Sequence, residues 1–239
     1  MYFDTGYLIF VLPAIIIAMI AQSNVTSTFN KYSKVINARG ITGAEVAQKM
    51  LNLYGIYDVT IERVAGNLSD HFDPRTKVIR LSDSVYSSTS VAALGVAAHE
   101  TGHAIQHNKG YMPIKLRNAV LPVANLGSGL AFPLVILGIV FSFDFLVNFG
   151  IILFSAVVLF QVVTLPVEFN ASARAISVME EQYILSDSEL VGAKKVLSAA
   201  AMTYVAATIV ALANLLRLIG IARRNDWYES KRNSIKYFK

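Results

Sequence analysis

The sequence predicts a mostly helical α+β protein that crosses a membrane several times around a small polar core. Three observations carry this. Hydrophobic residues make up 54% of the 239-residue chain and charged residues only 15%, against about 45–50% and about 25% in soluble domains. The charges are missing in blocks rather than thinned evenly. One polar segment, residues 23–118, holds two stretches of alternating side chains ahead of an Ala-rich helix.

The charge-free blocks define the spans. No charge lies between Asp4 and Lys31, only Asp144 between Arg117 and Glu168, and none between Lys195 and Arg217. A spanning helix needs roughly 20 mainly apolar residues. The outer blocks therefore hold one helix each, and the middle block holds two with Asp144 at the turn. Spans are expected near 3–22, 119–141, 145–165 and 197–218. The first lacks a basic leader and an A-x-A site, so it reads as an uncleaved anchor. Asn125, Asn148, Gln161 and Asn214 lie within spans and are expected to bond between helices. The net charge of +5 fits basic residues flanking spans and meeting anionic headgroups, not nucleic acid. The chain has no cysteine, which excludes disulfides and thiolate metal ligands.

Between the anchor and the second span the elements follow in order. Residues 43–55 place Val46, Met50, Leu51 and Tyr54 at helical spacing, with Gly55 as an end signal. DVTIERV (58–64) reads as a short strand, AGNLSDHFDPRT (65–76) as a loop rich in turn residues, and KVIRLS (77–82) as a second strand. The expected pairing is antiparallel, and the 77–82 strand reads either as an edge to which an extended peptide adds by main-chain hydrogen bonds or as half of a plain two-stranded hairpin packed on the following helix. Ser82 or Asp83 can cap a short turn. Ser88 to Ser90 precede a small-residue helix over 91–107, ended by Asn108-Lys109-Gly110. No repeat or low-complexity linker divides the chain. It reads as one membrane-embedded unit, residues 1–239, with catalytic segments at 23–118 and 166–196.

The chemistry lies on the Ala-rich helix. His99-Glu100-Thr101-Gly102-His103 is an HExxH, whose histidines, four residues apart, share one helical face. Two imidazoles so placed can hold one Zn²⁺, with Glu100 beside them as general base. A catalytic zinc needs a third protein ligand and an open position. His107 continues the series but stands about 12 Å along the axis from His99. The position ten residues after the first histidine, where some zinc peptidases carry their third, is Lys109. Glu168, in LPVEFNASARA (165–175), is the better candidate, because a carboxylate at the end of a span is costly unless paired or functional. Pro166 just before it suggests a helix N-terminus there. The bland alternative is that Glu168 stabilises that terminus or pairs with Arg174. His71, in the loop, can reach a cleft and stabilise an oxyanion, or be an ordinary surface histidine.

VAAHETGHAIQH, LPVANLGSGL and VVTLPVEFNASARA together resemble the YugP-like neutral zinc metallopeptidases, a membrane branch of the gluzincins. The resemblance extends to HFDPRTKVIRLS and the Ala-rich last span. The layout is also similar to HtpX-type membrane proteases, which set a membrane hairpin between the HExxH helix and the Glu helix. It implies a gluzincin-like core, peptidase activity, Glu168 as third ligand and the cell membrane of a prokaryote. Many gluzincins carry an Asp four residues after the ligand Glu to support a ligand His. Ser172 stands there in this sequence, with Asn170 two residues after Glu168. The group that orients the imidazoles is therefore open among Asn170, Ser172 and Arg174.

The reading is a zinc-dependent membrane endopeptidase acting on membrane-associated or unfolded polypeptides: His99, His103 and Glu168 on the metal, Glu100 as base. The alternative is a non-catalytic zinc-binding membrane scaffold, for which Glu100 would be superfluous. A transporter is disfavoured, since the spans carry almost no ionisable residues. Residues 23–118 hold eleven Lys and Arg, which places them and the catalytic site in the cytoplasm with Asp144 outside. Seven more lie from Arg217 onward, and the side of that tail stays open.

Overall fold

The computed structural model describes residues 5–66 and 69–236, with side chains up to residue 223. The first residues of the expected 3–22 span therefore lie outside the described residues, as do the side chains of most of the basic tail. In chain order the helices are α1 (Leu12–Tyr32, continuing a π-helical turn at Tyr7–Val11), α2 (Gly43–Leu53), α3 (Asp83–Tyr86), α4 (Val91–Asn108), α5 (Met112–Val140), α6 (Asp144–Glu181) and α7 (Asp187–Lys236). The strands are β1 (Thr60–Val64), β2 (His71–Asp73) and β3 (Val78–Ser82). Four helices are long and apolar enough to cross a membrane: Tyr7–Tyr32, Met112–Val140, Asp144–Glu181 and Asp187–Arg223.

Local signals place the short elements. Thr42 and Glu45 close a reciprocal capping box at the start of α2, which satisfies two otherwise orphaned donors. Ser90 accepts the Ala93 N–H at the start of α4, and Gly110, at φ +62°, ends it. Asp144 opens α6 after a turn in which Ser142 takes φ +51°.

The sheet departs from the expected hairpin. Its order is β1-β3-β2. β3 pairs parallel with β1, Ile61 opposite Ile79, and antiparallel with β2, Phe72 opposite Ile79. Parallel neighbours need a connection of about a dozen residues. The 65–77 segment supplies it, and β2 forms within it. Asp73 accepts from the Arg75 N–H and the Thr76 hydroxyl, an Asx-type turn that folds β2 back onto β3. Strand β3 is thus central. The reading of 77–82 as a free edge for a peptide is corrected, because both of its sides are already paired.

A second correction concerns Pro166. It does not start a helix but lies inside α6, which is continuous over 38 residues. A spanning helix tolerates proline because its neighbours and local adjustment re-satisfy the freed carbonyl. Glu168 is therefore mid-helix, which removes the N-terminal role considered for it.

The described residues fall into two compact units. The unit of 20–115 and 164–204 has a buried core drawn from α2, β3, α4, α6 and α7, with Met50, Leu51, Ile79, Leu81, Leu94, Ile105 and Met179 fully enclosed. Each such side chain contributes roughly 1.5–3 kcal/mol by leaving water. The other unit (1–19, 116–163, 205–239) packs through small residues. A Cβ at Gly150 would meet the Ala131 carbonyl at 2.8 Å, so α5 and α6 approach at backbone contact there, as helices do where lipid offers no hydrophobic drive to associate. Asn214, expected to bond between helices, makes a bond within its own helix: its amide donates to the Val210 carbonyl.

Candidate metal centre

Helices α4 and α6 build the centre. Gly102 permits it: a Cβ there would lie 2.7 Å from the Ala171 carbonyl oxygen and 3.1 Å from its Cα. With no side chain in the way, His99 and His103 on α4 reach Glu168 on α6. Their ring centroids are 4.7 Å apart, edge to face. Glu168 Oε2 stands 3.2 Å from His99 Nε2 and 3.5 Å from His103 Nε2. The three ligating atoms lie within 4.8 Å of one another.

The far side of each ring is held. His99 Nδ1 and the Ser172 hydroxyl are hydrogen-bonded at 3.0 Å, and His103 Nδ1–H donates to the Gln106 side-chain carbonyl at 3.0 Å. Gln106, fully buried, donates in turn to the Val167 carbonyl and to Asn170 Oδ1. Asn170 also accepts from Arg174 Nε at 2.8 Å. With Nδ1 carrying the proton, the neutral His103 ring presents Nε2 as an acceptor. Both Nε2 atoms and the Glu168 carboxylate face one point, where a cation would bridge them. Burial works against charge on His103, but the carboxylates of Glu168 and Glu100 outweigh it and hold the imidazole above its ordinary value.

The residues fit zinc. Two imidazole nitrogens and a carboxylate oxygen about 2.0–2.2 Å from one tetrahedral ion would lie about 3.3 Å apart, leaving a fourth position open. The 3.2 and 3.5 Å separations bracket that value.

Glu100 is half-buried on the same helix, and among the described residues its carboxylate has no hydrogen-bond partner. Nearby, Asp70 accepts the Ser82 N–H at 2.7 Å and the Ser82 hydroxyl at 3.0 Å. Burial pushes the Asp70 carboxyl above the usual carboxylate range, the Ser82 N–H pulls it down, and the Glu100 charge pushes it up again.

The structure therefore brings His99, His103, Glu168, Ser172, Asn170 and Arg174 into one network. Arg174 reaches it through Asn170 rather than by pairing with Glu168. His71 is exposed and bonds the Ser69 carbonyl. His107 is exposed and rests against the Phe72 ring. Gln106 and Asp70 were missed by sequence reasoning. The signal for Gln106 was its place three residues after His103, on the ligand face of a helix. Asp70 had none, being one more polar residue in a turn-rich loop.

Comparison with known proteins agrees with this chemistry. A family described as "Putative neutral zinc metallopeptidase" matches residues 7–223. The Bacillus subtilis (strain 168) protein named "Putative membrane protease YugP" is 49% identical over 201 residues, covering 84% of this chain and 89% of that protein. No solved structure matches.

Proposed function

The chain belongs to the family described as "Putative neutral zinc metallopeptidase", and from that membership we propose a zinc-dependent membrane endopeptidase that hydrolyses peptide bonds in membrane-associated or unfolded polypeptides. The observation that carries this is the convergence of His99 Nε2, His103 Nε2 and Glu168 on one point, with an unbonded Glu100 beside them. A non-catalytic zinc scaffold would explain the trio but leave that carboxylate without a purpose.

In this reading His99, His103 and Glu168 hold the ion through one oxygen and two nitrogens. Zinc bound there supplies a Lewis acid for the scissile carbonyl and lowers the pKa of water. Glu100 takes the proton from the attacking water and later gives it to the departing amine nitrogen. Ser172 and Gln106 keep both imidazoles turned so that Nε2, not Nδ1, faces the reaction. The whole chain acts as one membrane-embedded unit. Its catalytic segments face the cytoplasm, as the basic residues of 23–118 favour.

Glu100→Gln separates enzyme from scaffold. The purified variant should hold zinc at the same stoichiometry and hydrolyse an unfolded casein-type substrate about 10²–10⁴-fold more slowly. Undiminished hydrolysis by zinc-loaded Glu100→Gln protein would remove Glu100 from the mechanism. For orientation, single cysteines introduced at exposed Ser87 and Asp144 report against a cysteine-free background. Only Asp144→Cys should react with an impermeant reagent outside intact cells, and the opposite pattern overturns the cytoplasmic placement.

A further inference from the structure

Helices α1 and α7 line a groove of about 290 Å³. Asn24, Thr28 and Lys31 face it from α1, and Lys195, Ser198 and Met202 from α7. Each set follows the i, i+3/i+4, i+7 spacing of one helical face. No Asp or Glu lines the groove. Among the described residues neither lysine has a carboxylate partner, and Lys31 Nζ lies 5.5 Å from the Tyr32 ring centroid. Each lysine is also the first charge at the end of a charge-free run, Lys31 after residues 5–30 and Lys195 before residues 196–216. Cations at such positions meet lipid headgroups.

A cavity of about 500 Å³ adjoins the groove and shares Ser198 and Met202 with it. Its walls are largely apolar, with Phe169, Ala173 and Ile176 from α6 and Leu197 and Ala201 from α7. Its one charged pair, Lys194 with Glu180 at 3.5 Å, neutralises itself. From Lys195 to Met202 is about 10 Å along the helix. Over that distance the lining passes from cationic and hydroxylated to apolar. Ser172, in the lining of the cavity, bonds His99 at Nδ1, and none of His99, His103 and Glu168 lines the cavity itself.

We propose that groove and cavity together bind one anionic phospholipid, its phosphate held by Lys31 and Lys195 and one acyl chain lying past Met202 in the cavity. Thr28, Asn24 and Ser198 donate hydrogen bonds to the phosphate and glycerol oxygens. The charge of the groove decides the class: its two cations, with no Asp or Glu in its lining, select against a zwitterionic headgroup, which carries its own cation. The adjoining apolar volume selects a chain-bearing anion over a free one.

The test is lipid binding to the full-length Glu100→Gln protein in detergent, read by native mass spectrometry, so that the outcome does not depend on whether the chain is a peptidase. Phosphatidylglycerol should bind at least about tenfold tighter than phosphatidylcholine of the same chains. Lys31→Ala/Lys195→Ala should weaken phosphatidylglycerol about 30-fold, and Lys31→Arg/Lys195→Arg should retain it. Ala201→Phe, which fills the cavity, should weaken phosphatidylglycerol but not glycerol phosphate. Equal binding of the two lipids by the otherwise unaltered Glu100→Gln protein overturns the proposal, and that comparison needs no lysine variant to fold. Undiminished binding by the double alanine variant overturns it as well. So does glycerol phosphate competing as well as intact lipid, which would mark a plain anion site, or an acidic peptide displacing the lipid at equal concentration.

Discussion

The two sides of the metal centre are built differently. His99 and His103 stand one turn apart on α4 and offer the same nitrogen to the same carboxylate. Behind His99 there is one hydroxyl, that of Ser172, at the wall of a cavity. Behind His103 there is a buried relay, Gln106 to Asn170 to Arg174, tied to the Val167 carbonyl of α6. A hydroxyl beside a cavity can be replaced by water. A buried amide with three partners cannot be removed without leaving them unsatisfied. The centre therefore has an adaptable side and a rigid one.

The strongest way to break this comparison is to remove what the two sides share. Glu168→Ala should weaken zinc binding at least about 100-fold by competition with a chromophoric chelator, while His107→Ala leaves it unchanged. The reverse order would mean that the ion sits elsewhere on α4 and that the two sides have no common point. Next comes the contrast itself. Gln106→Ala should cost zinc affinity towards the upper end of the roughly 10–100-fold range for such supporting groups, and Ser172→Ala towards the lower end. Gln106→Ala should also lower folding stability by about 1–3 kcal/mol. Equal losses in affinity and stability would erase the distinction. A smaller effect sharpens it. Gly102→Ala inserts a Cβ 2.7 Å from the Ala171 carbonyl oxygen and pushes the two helices apart, at a cost of about 1–3 kcal/mol. Thermal melts should show the loss, and both histidines should slacken together. The smallest effect belongs to Arg174→Ala. It touches only the end of the relay, and chelator competition should find zinc affinity within about tenfold of the unsubstituted protein.

How much of this was legible beforehand depended on the range of the signal. His99, Glu100 and His103 are spaced by one helical turn, so a local pattern names them. Ser90 and Asp144 are likewise read from their neighbours in sequence. Glu168 stood out because a carboxylate beside an apolar run needs a reason, and the family resemblance supplied one. Gln106 was hidden because an amide has no chemistry of its own until Val167, Asn170 and His103 surround it, and two of those lie on α6. The pairing of β1 with β3 was hidden for the same reason. Alternation marks a strand but not its neighbour, and β2 is three residues long in a segment whose composition favours turns. Pro166 misled because the rule that proline starts helices holds in water, whereas here the helix continues into a span.

The held imidazoles have a consequence for the choice of ion. Each ring has its Nδ1 tied, to Ser172 or to Gln106, so both present Nε2 toward Glu168 before any ion arrives. Two nitrogens and one oxygen within 4.8 Å of one another suit a borderline ion. Magnesium and calcium prefer six or more oxygen ligands and find one carboxylate here. Donor type and count thus disfavour the alkaline-earth ions at this centre.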